Sequence, residues 1–132
     1  FIIERLNVTT IIIWLRSEGM NSEALLEKMV EACDDKRAED IMTFDVKETS
    51  TVTDYYIICH GNSGRQVQTI ADEIKDQAKD LDIDPVVEGY QEGKWILCDL
   101  NHVIVHVFHG PEREYYNLER LFKNGEHIDS RQ

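Results

Sequence analysis

The stretch from Asp54 to Leu81 constrains this chain more than any other. Tyr55-Tyr56-Ile57-Ile58-Cys59 is an unbroken aromatic and β-branched run, too short for a helix and closed by Gly61, which predicts a buried strand. Gly61-Asn62-Ser63-Gly64 is turn chemistry, and Asn62 or Ser63 can accept from the orphan N–H groups of a following helix. Val67, Ile70, Ala71, Ile74, Ala78 and Leu81 then recur at helical spacing and put one apolar stripe on that helix. A strand, a tight turn and a helix in this order need further elements to cover them.

The remaining residues supply those elements. Ser22 is placed to cap a helix in which Leu25, Leu26, Met29, Val30 and Cys33 share a face. Ile41 to Val46 reads as a short strand, and Pro85 forbids further helix after Leu81. Strands follow over Pro85 to Glu88, Lys94 to Leu100 and His102 to His109. Gly110-Pro111-Glu112 opens a last helix striped by Tyr115, Leu118, Leu121 and Phe122, with proline in its first turn. The expected fold is a single α/β domain, a mixed β-sheet of about five strands with flanking helices. Residues 1–19 precede the capped start after Met20 and read as an upstream or tag extension. The domain is expected over 20–124 and a C-terminal tail over 125–132.

Composition narrows the partners. The net charge is −12, and beyond residue 19 the chain carries 24 acids against 12 bases. Such a surface repels phosphate backbones, so no direct nucleic-acid specificity is expected, whereas a basic protein partner suits it. Cys33, Cys59 and Cys98 are odd in number and form no C-x-x-C pair. They point to a reducing, cytoplasmic setting rather than to disulfides or a zinc site. No apolar run reaches the ~18 residues of a membrane span, so no membrane role is expected.

The last two strands carry the most unusual side chains. A two-residue loop at Leu100-Asn101 sets Asp99 against His102, Leu97 against Ile104 and Trp95 against His106. One face then shows Trp95, Leu97, Asp99, His102, Ile104, His106 and Phe108. The other shows Ile96, Cys98, Val103, Val105 and Val107, and is core. The mixed face combines an aromatic, an acid and imidazoles as a binding surface does.

Three chemical readings compete with this one. His102 and His106 on a strand sit roughly 13 Å apart, and His109 points the other way, so no metal is expected. The Gly61–Gly64 turn at a helix start invites a phosphate, but neither G-x-G-x-x-G nor the P-loop lysine accompanies it. Asp82 and Asp84 have the spacing of paired Mg²⁺ ligands yet lie in a loop before Pro85. Cys59 and His60 are adjacent on a strand and face opposite ways, so they cannot act as a nucleophile pair. No catalytic residue and no cofactor follow from these patterns. The alternative reading is a nucleotide-binding or nucleotidyl-transferring enzyme using the Gly61–Gly64 turn.

Several blocks together resemble the bacterial ribosomal silencing factors, the Iojap-like family. They are Thr53 through Gln68, Val87-Glu88-Gly89, Trp95 to Asp99, Val103 to Phe108, and Arg113-Glu114-Tyr115-Tyr116-Asn117-Leu118-Glu119-Arg120-Leu121. The resemblance implies a nucleotidyltransferase-like domain without the catalytic acids. It implies a translational repressor that binds the large ribosomal subunit through a basic ribosomal protein named L-fourteen. Bound there, such a protein blocks association with the small subunit and lowers translation under nutrient limitation. On this reading Trp95, Asp99, His106, Arg113, Tyr116 and Glu119 are the partner-binding residues. Asp54, Gly61, Asn62, Ser63, Arg65 and Gln66 form the turn and helix-start motif. A homodimer is left open. Asn101-His102 departs from the family's Gly/Asp-Asp turn, and Phe122-Lys123-Asn124 from its Trp-Gly-Asp ending.

Overall fold

A computed structural model describes residues 21–110. Helix α1 spans Ser22–Asp35. Strands β1 (Glu39–Asp45) and β2 (Tyr55–Gly61) follow, then helix α2 (Gly64–Asp80). Strands β3 (Val86–Glu88), β4 (Trp95–Asp99) and β5 (Val103–His109) complete the order. The predicted last helix lies outside the described residues.

The second helix starts with a predicted cap, whereas the first is capped one residue earlier than the sequence predicts. Asn21, not Ser22, caps α1, its side chain accepting from the Ala24 N–H at 2.9 Å. Ser63 caps α2, accepting from the Gln66 N–H at 3.1 Å. Each helix then ends on a non-glycine residue in the left-handed region, Arg37 at φ 63° and Asp82 at φ 64°. In both cases the next residue's N–H returns to a carbonyl in the last turn, Ala38 to Cys33 and Ile83 to Ala78. Asp82 therefore terminates α2 through this closing motif, three residues before Pro85.

The five strands form one mixed sheet in the order β1-β2-β5-β4-β3. β2 and β5 run parallel in its middle, Tyr55 opposite Val103 through Gly61 opposite His109. The other three pairings are antiparallel. α1 and α2 cover one face. Beneath them Tyr55, Ile57, Cys59, Ile96, Cys98, Val103, Val105 and Val107 meet the buried stripes of both helices. The three valines are fully buried, as their alternation predicts.

The β4–β5 hairpin differs from its predicted register by two residues. Trp95 faces Phe108, Leu97 faces His106 and Asp99 faces Ile104, which leaves Asn101 and His102 as the loop. Asn101 takes the positive φ of 77°, a conformation that asparagine tolerates and Leu100 resists. Asp99 Oδ1 fixes the turn by accepting from the Asn101 N–H at 2.8 Å. A two-residue slip preserves parity, so both faces keep their predicted members except His102, which moves into the loop. A second difference concerns β5. Its mixed-face residues Ile104, His106 and Phe108 are buried as well, at 6%, 6% and 0% exposure. A central strand is covered on both sides, so the open part of the mixed face belongs to β4.

Candidate partner-binding face

The sheet face opposite the helices holds a cluster of aromatic rings. Trp95 on β4 stacks on Phe108 of β5, with centroids 5.1 Å apart. The Trp95 indole N–H donates to Nδ1 of His106 at 3.1 Å, diagonally across the same ladder. Tyr56 enters from β2, with its ring 5.6 Å from the imidazole. Phe44, Val46 and Ile58 extend the apolar floor toward β1. The cluster exists because β5 lies between β2 and β4, and alternate residues of all three strands point the same way.

This packing fixes the state of His106. Burial pushes its imidazole down to about 4, because desolvation disfavours the cation. The bond from Trp95 needs a bare Nδ1, so the neutral ring carries its proton on Nε2. His106 is therefore an acceptor that orients Trp95. Trp95 is itself half-buried, with one part in the cluster and the rest facing outward beside half-buried Leu97 and Asp99. Of the predicted binding residues, Trp95 and Asp99 share this face with His106 beneath. Arg113, Tyr116 and Glu119 lie outside the described residues. Tyr56 belongs to the cluster, although sequence reading assigns it to the strand without naming it as a site residue. Its signal is the alternation of the Tyr55–Cys59 run combined with the β2–β5 pairing.

The Gly61–Gly64 turn is a latch between the two helices. Gln66 Oε1 accepts from the Asn62 N–H at 2.7 Å. Its Nε2 donates to the carbonyls of Lys36, at 3.3 Å, and Arg37, at 3.0 Å, just past the end of α1. Asn62 Nδ2 donates to Glu39 at 2.7 Å. A Cβ on Gly61 would press on this pinned Gln66 side chain at 3.2 Å. The Asn62 and Gln66 amides are committed to internal partners, and Asn62, Ser63 and Arg65 are the exposed members of the motif. Asp54 serves the opposite end of the sheet. Its carboxylate lies 3.3 Å from His102 Nδ1, and its amide donates to the His102 carbonyl at 3.1 Å. Among the described residues no group of three His, Cys, Asp or Glu is arranged to hold a metal ion. No helix there is long and apolar enough to cross a membrane.

A family model described as ribosomal silencing factor during starvation matches residues 19–132. The chain belongs to the ribosomal silencing factor family. A silencing factor of Bacillus subtilis is 55% identical over 104 residues, covering 78% of this chain and 88% of the relative. That relative's name is of a silencing factor and not of an enzyme. A crystal structure from Bacillus halodurans superposes at TM-score 0.70 with 49% identity, covering 76% of this chain and 94% of that one. An X-ray structure from Chromobacterium violaceum reaches 0.75 at 31% identity, covering 77% and 86%. Silencing-factor membership therefore rests on sequence and fold together, and the family fold is the mixed sheet described above.

Proposed function

We propose that this chain is a non-enzymatic translational repressor. It docks the sheet face opposite α1 and α2 on the large ribosomal subunit, through the basic protein L-fourteen, and blocks small-subunit joining when nutrients are scarce. The family match over residues 19–132 carries this reading. Two features of the chain support the partner's chemistry. The net charge of −12 favours a basic protein over bare RNA. A half-buried tryptophan on a rigid aromatic bed is the kind of anchor that dominates protein interfaces. Trp95 and Asp99 on β4 are the proposed contacts, together with Arg113, Tyr116 and Glu119. The mechanism is steric occupancy of the joining surface, and it needs neither a cofactor nor a bond-making step. The site of action is the bacterial cytoplasm.

The test uses purified subunits. With excess protein, large and small subunits mixed at joining conditions should sediment separately. Trp95→Ala should restore the joined particle at the same protein concentration. Joining that proceeds unhindered with the parent protein would refute the reading.

A further inference from the structure

We propose that the short edge strand β3 carries this docking face outward, with Val86 and Glu88 contacting a lysine- or arginine-rich protein surface. The inference rests on the reading of the preceding section and adds residues to it. β3 pairs with β4 so that Val86 lies opposite Asp99 and Glu88 opposite Leu97. Directly opposed residues of an antiparallel ladder point to the same side. Val86 and Glu88 therefore join Trp95, Leu97 and Asp99 on the face that the two helices leave uncovered.

Val86 is 59% exposed, one of only two large hydrophobics so open among the described residues. Pro85, the three-residue length and Glu88 guard this edge against pairing with another strand. What β3 offers a partner is therefore the exposed Val86 side chain beside a carboxylate, not its backbone. Val86 and Leu97 are the apolar pair of this patch, set diagonally across the ladder and directly opposite Asp99 and Glu88. That is the layout of a protein interface, dry in the middle and polar at its rim.

Charge selects the occupant. Between residues 81 and 100 the acids are Asp82, Asp84, Glu88, Glu92 and Asp99, and the only base is Lys94. A second copy of this chain would set carboxylates against carboxylates. A nucleic-acid backbone would set them against phosphates. A basic protein surface complements the rim and covers Val86.

Binding of the full chain to purified large subunits tests this, with association and dissociation rates measured at several salt concentrations. Glu88→Lys should weaken binding about tenfold, chiefly through slower association with a flatter salt dependence. Val86→Ser should raise the dissociation rate severalfold and leave the salt dependence alone. Val86→Thr, which keeps the β-branched shape, should fall between it and the parent and guards against a folding defect. Asp80→Lys makes the same charge change at an exposed position on α2 and should stay within about twofold of the parent. If the β3 variants bind as the parent does while Trp95→Ala loses binding, the β3 inference fails and the broader reading stands. If Trp95→Ala also binds normally, the sheet face is not the docking site and both fail. If Val86→Ser instead dissociates a dimer and leaves subunit binding unchanged, β3 is a contact between copies and the inference is overturned.

Discussion

Acidification should weaken this fold through His106, by an amount that follows from its surroundings. The imidazole is 6% exposed, and burial lowers it from the ordinary 6.5 to about 4. As pH falls, the unfolded chain takes up this proton near 6.5, whereas the folded chain resists until about 4. Stability is therefore unaffected above that window and falls within it. At ~1.36 kcal/mol per pH unit, the gap of about 2.5 units corresponds to about 3 kcal/mol at its limit, of which about 2 kcal/mol is lost by pH 5. That is a sizeable share of the 5–15 kcal/mol typical of a domain. The assay is urea unfolding at pH 7, 6 and 5 for the parent and for His106→Asn, whose amide oxygen can replace Nδ1 as acceptor for the Trp95 indole. His60, His102, His109 and the carboxylates are common to both proteins and cancel in the difference. The variant should gain on the parent by about 2 kcal/mol between pH 7 and pH 5. Parallel stability curves would show that His106 titrates normally in the folded state and would refute the argument.

Three further outcomes are expected. Trp95→Ala removes both the stack on Phe108 and the bond to His106. Denaturant unfolding should show a loss of about 2–3 kcal/mol, and affinity for the large subunit should drop roughly 30-fold or more; Trp95→Phe should recover most of the stability. Gln66→Ala breaks the latch among Asn62, Lys36 and Arg37. It should cost about 1–2 kcal/mol in the same experiment, with hydrogen exchange accelerated at the end of α1 and the start of α2. Gly89→Ala should fail to give soluble folded protein or lose more than about 3 kcal/mol, because Gly89 sits at φ +81° and an added Cβ would lie 2.3 Å from the Trp95 carbonyl oxygen. Near-parent melting of Gly89→Ala would overturn that geometry.

Local patterns were the legible part of this fold. The Tyr55–Cys59 run, a cap at Asn62 or Ser63 and the apolar stripe to Leu81 are encoded within a few residues of one another, and the structure follows them with Ser63 as the cap. The valine face of β5 survived a wrong register because its period is two and the slip was two. What the sequence conceals depends on partners far away in the chain. That Ile104, His106 and Phe108 are buried follows from β5 lying between β2 and β4, and nothing in the local alternation distinguishes a central strand from an outer one. His106 accordingly reads as a surface imidazole in sequence and as a buried acceptor in the fold. Gln66 reads as part of the turn and helix-start motif, yet nothing local shows that it ties carbonyls 29 and 30 positions away. Asp99 reads equally well as a contact or a turn anchor. Its bond to the Asn101 amide establishes the second role.

The parallel pairing of β2 with β5 also governs how the protein can be made. Tyr55 meets Val103, so the centre of the sheet closes only after a long intervening segment has been synthesised. Contacts of such range form slowly. Until residue 109 leaves the ribosome, one edge of Tyr55-Tyr56-Ile57-Ile58-Cys59 has no strand beside it, and it is a segment rich in β-formers without charge. Nascent chains halted before β5 should therefore be the aggregating species, rescued by chaperones that hold extended apolar segments. A protein whose family silences ribosomes thus depends on a ribosome finishing β5 before its own sheet can close.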